Sequence, residues 1–432
     1  MTGRPLLVAT SALASLGEAM FGYSQGIIAA NQVQPSFIKR MFGKEATMYQ
    51  VQADATGVNP FIVGAWLQRC PAGTSSVTTI AAITVSCLNI AALFSALGSA
   101  YVCDILGRRM SVRISAVIYF VSALIQIFAP GLGILIVGRS IQGVAVGMLS
   151  MTVPILQCEI APGHARGRFA SIGYICLNAG VAISAWVGYG FFFAVPSEIS
   201  WRGPYIVQAV LGMVLFAGSI FLPETPRWLI KNGFQMEGLG TLADLHGTGD
   251  TSDPAIQASY AEIAATLEHE NGVGYASWSQ VFKQYPRRVV IGITCQLFAQ
   301  FNGINAILCF LPEDLGRAGF TIPRALLYSG ACALVYCAGT IPTMFLIDRW
   351  GRRFFLLAGS CSLAVALAVI GGLQYHSSSL PFGDARVRTA DGIFAAVCVY
   401  LFIFGATLVF SALTPPTHEL TMGTAGVRLP GC

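Results

Sequence analysis

Amide side chains recur at helical spacing in the stretch CQLFAQFNGIN, residues 295–305. Gln296, Gln300 and Gly303 are four and three positions apart, which places them on one face of a helix, and Asn305 follows closely. An amide donates and accepts hydrogen bonds without carrying a charge, so this set suits an uncharged ligand that is rich in hydroxyl groups. The alternative is that the amides bridge neighbouring helices.

A charged phrase occurs twice, as CDILGRR at 103–109 and IDRWGRR at 347–353. Each copy has an acid, two further residues, a glycine and two arginines, although only 10% of the residues in the chain are charged. Guanidinium groups bind carboxylates and the carbonyl groups at helix C-termini, so each copy can tie helix ends together. The candidates for this ionic network, with the charged residues that follow the first copy, are Asp104, Arg108, Arg109, Glu159, Arg166, Glu224, Arg227, Asp348, Arg352 and Arg353.

Long apolar segments must position these residues. The chain of 432 residues is 55% hydrophobic with a mean hydropathy of +0.66, whereas soluble proteins carry about 25% charged residues. A membrane-spanning helix needs roughly 20 mostly apolar residues, and a β-barrel would instead show short alternating strands. We therefore predict an all-α, multi-pass membrane bundle. Its ten apolar runs lie at 6–30, 80–102, 114–138, 140–157, 169–193, 203–222, 289–312, 325–347, 354–375 and 392–413.

The order of these runs predicts the domain organisation. Six runs precede a polar stretch and four follow it, which predicts a membrane half at 1–222, a cytoplasmic helical linker at 223–288 and a second membrane half at 289–432. Lys and Arg are more frequent in the segments that would share one side with the N-terminus, so we expect the N-terminus to be cytoplasmic. The plain alternative to an ionic network is that the arginines only anchor the spans on that side.

The two charged phrases follow the second and the eighth run, which is the same place in each half. An internal repeat of this kind is typical of secondary transporters. The residues resemble the major facilitator superfamily and, within it, the sugar-porter family, with fungal members closest in phrases such as GYSQGII and LADLHGTGD. The phrases that carry the resemblance are ALGSAYVCDILGRR, VGRSIQGVAVGMLSMTVPILQCEIAPGHARGR, LPETPRWLIKNG, QLFAQFNGIN and IDRWGRR.

The resemblance implies a carrier in the plasma membrane that moves a sugar (a hexose, pentose or disaccharide) by alternating access, with or without a proton. It implies that the ionic network latches the cytoplasmic ends of the spans. Gln300 and Asn305 match the family's sugar-binding amides, whereas a neighbouring family glutamine is Ala299 here. Asn178 and Tyr336 are further candidates for sugar contacts. We expect no enzyme activity, cofactor, metal site or nucleic-acid partner. The partners are the sugar, the lipid bilayer and, if transport is proton-coupled, H⁺.

Glu18 is the acid that lies within these ten apolar runs. An acid inside a span is a functional candidate, and Glu18 shares a helical face with Gly22 and Gln25. Proton-coupled relatives often carry an acid in the phrase GYD, where this chain has Ser24. Two interpretations stay open: Glu18 couples transport to protons, or it pairs with Arg166 or Arg168.

Two features depart from the repeat. The stretch 64–79 interrupts an apolar segment and is either a longer loop or an error in the joined coding sequence. Only two runs follow Asp348, where the first half has four after Asp104, so we expect ten of the family's twelve spans and a C-terminal truncation. The alternative functions are a carrier for another polyhydroxyl solute, such as a polyol or quinate-like acid, and a sugar-binding product or sensor that does not transport.

Overall fold

The computed structural model describes residues 3–42, 75–162, 166–273, 283, 286–318, 320–350, 352–380 and 384–413. Fifteen helices and no strand occur in these ranges. In chain order the helices are α1 (Arg4–Gln32), α2 (Pro35–Phe42), α3 (Ser75–Leu106), α4 (Arg108–Ile127), α5 (Leu132–Ile160), α6 (Arg166–Phe192), α7 (Ile199–Ser219), α8 (Pro226–Lys231), α9 (Gln235–His246), α10 (Pro254–Val273), α11 (Pro286–Phe301), α12 (Ile304–Ala318), α13 (Ile322–Trp350), α14 (Arg352–Ser379) and α15 (Asp384–Leu413).

Ten helical stretches in the described ranges are long and apolar enough to cross a membrane. They are α1, α3 to α7, the pair α11 and α12, and α13 to α15. The predicted all-α, multi-pass membrane bundle is therefore confirmed. Residues 64–74 and 414–432, where the sequence departs from the repeat, lie outside the described residues.

One predicted span boundary was wrong, and one predicted span contains a break. The third span ends at Ile127 rather than near 138, because the phrase Ala129-Pro130-Gly131 stops the helix and the residues after it begin α5. The seventh apolar run, predicted as one helix, is divided at Asn302 and Gly303, where the glycine has a φ of 76°. A positive φ costs glycine little, so the Asn-Gly pair interrupts the span.

The packing of the spans repeats along the chain. In the first half, α3 and α4 both pack against α5; in the second half, α13 and α14 both pack against α15. The two halves meet where α6 contacts α13 and α1 contacts α12. The predicted linker stretch forms α8, α9 and α10, and α9 packs on α10 through Leu242 and Ile256. The division at 222 and 289 stays a prediction.

The linker helices are held against the ends of the spans by polar contacts. His246 of α9 donates from Nε2 to the carbonyl oxygen of Ile160 at the end of α5, at 2.8 Å. The backbone N–H of Gly3 donates to the carbonyl oxygen of Asp244, at 2.6 Å. These bonds satisfy carbonyl groups at helix ends and place the N-terminus of the chain beside the linker.

The helices α1 and α6 cross at backbone distance. A Cβ atom on Gly22 would collide with the carbonyl oxygen of Leu177, and one on Gly180 would collide with the carbonyl oxygen of Ala19. Small residues let membrane helices approach closely enough for extensive van der Waals contact, which drives association in lipid. The pair α1 and α6 is therefore one tightly packed unit of the first half.

We expect Gly180→Ala to destabilise this crossing, because the added methyl group meets backbone that cannot rotate away. Overpacking of this kind costs about 1–3 kcal/mol, and the apparent melting temperature in detergent should fall. Gly98→Ala is the matched control, since a Cβ there has no atom within 4 Å. If Gly180→Ala has the same apparent melting temperature as Gly98→Ala and the parent protein, the close crossing of α1 and α6 is contradicted.

Candidate functional site

An ionic network ties three spans together at the linker end of the bundle. Arg108, at the start of α4, donates from Nη2 to Glu159 Oε1 of α5 at 2.9 Å and from Nη1 to Asp104 Oδ1 of α3 at 3.3 Å. Its Nη1 also donates to the carbonyl oxygen of Cys103 at 3.1 Å. The side chains of Arg108 and Glu159 are only 10% and 12% exposed. A buried charge is tolerated when it is paired and hydrogen-bonded in this way.

Glu224 completes the network from the loop that follows α7. Its carboxylate accepts the backbone N–H groups of Arg108 at 2.9 Å and of Arg109 at 3.1 Å, at the N-terminus of α4. Burial raises the pKa of Glu224, and these hydrogen bonds oppose the rise by favouring the ionised form. Gly107 adopts a φ of 89° at the break between α3 and α4, which brings these groups together.

Helix α8 adds contacts to this network, and the remaining predicted members lie elsewhere. Trp228 and Lys231 of α8 contact Asp104, through the backbone carbonyl at 2.9 Å and the carboxylate at 3.5 Å respectively. Arg227 lies in the same helix, whereas Arg109 reaches the carbonyl oxygen of Ile220 at 3.0 Å. The side chains of Arg166, Asp348, Arg352 and Arg353 lie outside the described residues.

Both charged phrases lie at a junction between two consecutive helices. The first phrase spans the junction of α3 and α4, and the second spans the junction of α13 and α14. In both copies a helix ends one residue before the glycine and the next begins one residue after it. The role of the whole set as a latch stays a prediction.

The predicted sugar-binding amides lie beside the break between α11 and α12. Asn305 donates from Nδ2 to Gln300 Oε1 at 2.7 Å, and the side chains of Gln296, Gln300 and Asn305 are exposed. Tyr400 of α15 donates to the carbonyl oxygen of Asn302 at 2.8 Å. A broken span of this kind frees backbone carbonyl groups at membrane depth, which is where transporters commonly bind their substrates.

The two further residues proposed to contact the sugar lie close together where the two halves pack against each other. Asn178 of α6 is fully buried and lies beside the Tyr336 hydroxyl group of α13. Tyr174, one turn before Asn178, lies within electrostatic reach of both Tyr336 and Glu18. Tyr336 and Tyr400 pack in one cluster with Phe404. We call Tyr174, Asn178, Tyr336 and Tyr400 the seam cluster, because its members come from both halves.

Glu18 occupies a buried position in the first half. A Cβ atom on Gly173 would lie 3.5 Å from Glu18 Cγ and 2.8 Å from Gln157 Oε1, so both side chains reach α6. Gln157 donates to Ser15 Oγ at 2.8 Å. Among the described residues, Glu18 Oε1 has no hydrogen-bond partner. Gln25, which shares a helical face with Glu18, donates from Nε2 to Asn89 Oδ1 at 2.7 Å.

Ser24 stands in an uncharged hydrogen-bond network. Its hydroxyl group lies 2.9 Å from Tyr119 Oη and accepts from Gln142 Nε2 at 2.8 Å. Arg139 of α5, which falls in a gap between the predicted runs, is fully buried. Its Nε donates to the carbonyl oxygen of Thr84 at 2.9 Å. Its two Nη atoms have no hydrogen-bond partner within the described ranges, although Tyr205 lies nearby.

A family model described as "Sugar (and other) transporter" matches residues 10–414. The chain belongs to this family. Within the family, MFS-type transporter criB of Aspergillus cristatus is 30% identical over 378 residues, covering 87% of this chain and 74% of the relative. Sugar transport protein 1 of Arabidopsis thaliana is 27% identical over 401 residues, covering 92% of this chain and 72% of the relative.

A solved structure identifies the fold. The proton:xylose symporter XylE of E. coli, bound to 6-bromo-6-deoxy-D-glucose, matches with a TM-score of 0.74 at 20% identity. The match covers 94% of this chain and 81% of XylE. The predicted major facilitator fold is therefore confirmed. The family and this structural neighbour are transporters.

The sequence did not reveal the contact between Tyr400 and Asn302. Tyr400 and Asn302 join α15 to the break in the seventh span, but an isolated tyrosine in an apolar run has no periodicity that reveals its partner. The Asn302-Gly303 pair was available as a turn signature and was read instead as part of a continuous helix.

We expect Glu159→Gln to lower the apparent melting temperature clearly, because it removes the charge that faces the buried Arg108. Asp104 still contacts Arg108, so the loss should be about 1–3 kcal/mol. Glu198→Gln is the matched control: it removes a half-exposed acid that contacts Arg202 and Arg40, where the loss should be below about 1 kcal/mol. If the two variants lose the same amount of stability, the buried pair of Arg108 and Glu159 contributes no more than the pair at Glu198.

Proposed function

We propose that this protein carries a sugar across a membrane by alternating access between its two halves. The observation that carries the proposal is the seam cluster, in which polar side chains from α6 of the first half and α13 of the second half meet inside an apolar bundle. Buried polar groups in a span are costly, so their placement at the contact between the halves favours a functional role. The relatives named for sugar transport support a sugar as the substrate class.

The arrangement suggests how the parts divide the work. The amides beside the break in the seventh span bind the hydroxyl groups of the sugar, and the seam cluster closes around it as the halves rock. The Arg108 network holds the linker ends of α3, α4 and α5 together while the opposite end is open. Breaking that network then lets the linker end open in turn.

Uptake of radiolabelled sugars in cells that lack their own hexose carriers tests the proposal. Hexoses, pentoses and disaccharides are compared with a polyol and a quinate-like acid. We expect uptake of at least one sugar that saturates with concentration and is inhibited by unlabelled sugar. If none of the three sugar classes is taken up, the protein is not a sugar carrier. If the polyol or the acid is taken up preferentially, that solute is the substrate class instead.

Gln300→Ala should raise the KM for the sugar about 3- to 10-fold, which is the expected loss of one hydrogen bond. The amount of protein in the membrane should not change, because the Gln300 side chain is exposed. Gln257→Ala, which removes an exposed amide from linker helix α10, is the control and should leave the KM unchanged. An unchanged KM in Gln300→Ala would favour the alternative that the amides only bridge helices.

We also propose that Glu18 is the group that couples transport to protons. It is buried, it lies within electrostatic reach of Tyr174, and Tyr174 in turn reaches Tyr336 of the other half. Protonation of Glu18 would therefore change the charge beside the seam cluster. The Ser24 network is uncharged, which leaves Glu18 as the acid of the first span for this role.

Glu18→Gln should abolish the dependence of uptake on external pH and on an uncoupler, while exchange of labelled for unlabelled sugar continues. The substitution keeps the size of the side chain and removes its charge. Ser24→Ala is the control, because it alters the neighbouring polar network without removing an acid. If uptake by the parent protein does not respond to pH or to the uncoupler, Glu18 has a structural role instead.

The N-terminus and the linker are proposed to face the cytoplasm, in the plasma membrane. The distribution of Lys and Arg in the loops supports this orientation. An epitope placed before residue 4 should be labelled only after the plasma membrane is permeabilised, whereas labelling of intact cells would reverse the orientation.

A further inference from the structure

Arg109 and Arg113 form a basic pair on the outer surface of α4. They are four positions apart and therefore lie on one face of the helix, away from the buried Arg108. Arg109 donates from Nη2 to the carbonyl oxygen of Ile220 at 3.0 Å. Arg113 donates from Nε and Nη2 to the carbonyl oxygen of Ser219 at 3.3 and 3.2 Å. The pair thus stands over the end of α7.

The positive charge of this pair is only partly neutralised by the protein. In the described part of the chain, neither guanidinium group forms an ion pair with a carboxylate. The nearby acid is Glu224, whose carboxylate is committed to backbone N–H groups of α4 and of its own loop. Arg113 also donates from Nη2 to the carbonyl oxygen of Ile220 at 3.3 Å and from Nη1 to Met110 Sδ at 3.6 Å. Each guanidinium has five N–H donors, so the donors that remain lie mainly on the Nη1 atoms of the two arginines.

The surface around the pair is apolar and exposed. Phe221 is 83% exposed, and Ile220, Met110 and Val117 are also exposed large apolar side chains. Met110 and Val117 lie on the α4 span, where such side chains face the hydrocarbon of the bilayer, and Ile220 and Phe221 directly follow the end of α7. The basic pair lies where this apolar surface reaches the polar end of the bundle, which is the depth of lipid headgroups.

We propose that Arg109 and Arg113 bind the headgroup phosphate of an anionic phospholipid, whose acyl chains lie along Phe221 and Val117. A phosphate oxygen accepts the remaining guanidinium N–H groups, and the negative charge of the lipid balances the pair. The lipid bridges the start of α4 and the end of α7, next to the loop that carries Glu224. It therefore stabilises the linker end of the first half from outside.

The test compares lipid retention in nanodiscs of phosphatidylcholine with and without phosphatidylglycerol. Native mass spectrometry counts the retained lipid, and the apparent melting temperature reports its effect. We expect the parent protein to retain phosphatidylglycerol and to melt at a higher temperature in its presence. In Arg109→Gln/Arg113→Gln, phosphatidylglycerol should bind roughly 10- to 30-fold more weakly.

Arg324→Gln/Arg388→Gln is the matched control, since it removes two exposed arginines at the opposite end of the bundle. It should retain the lipid as the parent does. Arg109→Lys/Arg113→Lys keeps the charge and should retain part of the binding, which separates loss of the site from loss of folding.

Three results would overturn the proposal. The first is that the Arg109→Gln/Arg113→Gln protein retains as much phosphatidylglycerol as the parent protein does. The second is that the parent protein retains phosphatidylcholine as well as it retains phosphatidylglycerol. The third is that soluble glycerol phosphate fully stabilises the parent protein in nanodiscs of phosphatidylcholine alone. The last result would assign the site to a free anion. The measurements require no sugar, so their outcome is independent of the proposed transport.

Discussion

The cost of burying a charge away from water governs the linker end of this structure. Backbone groups in hydrocarbon must be satisfied within the helix, and a charged side chain must find partners inside the protein. Arg108 meets this demand by contacting Asp104, Glu159 and the carbonyl group of Cys103. These contacts fix the linker ends of α3, α4 and α5 relative to one another. Gly107 directly precedes Arg108, Glu224 accepts the backbone N–H of Arg108, and α8 contacts Asp104, so the turn, the loop and α8 all surround this residue.

Other buried polar groups of the first half are less completely satisfied. Glu18 Oε1 and the two Nη atoms of Arg139 have no hydrogen-bond partner among the described residues, although both side chains are buried. A stable fold alone would favour apolar residues at such positions, because an incompletely paired buried charge is destabilising. Groups of this kind fit the proposed alternating access, in which their surroundings would change. Glu18 is also within reach of the seam cluster through Tyr174.

The sequence predicted the features that depend on composition and local pattern. The number of spans and the fold follow from long apolar runs and from shared phrases. Charges near span ends made both Arg108 and Glu159 candidates for one ionic network, and the structure pairs them. Span boundaries were less predictable, because an apolar residue suits either the end of one helix or the start of the next. Partners across helices, such as Tyr400 with Asn302, depend on how the spans pack, and no periodicity in a single span encodes that arrangement.

The two kinds of contact made by α6 indicate where the molecule can move. Against α1, α6 packs backbone to backbone at Gly22 and Gly180, so sliding would create immediate collisions. Against α13, it packs through side chains: Asn178 lies beside Tyr336, and Trp186 lies over Gly330. Side chains can change rotamer, whereas a close backbone crossing has no comparable freedom. Motion between the halves is therefore expected at the contact of α6 with α13, while α1 and α6 move as one body and carry Glu18 with them.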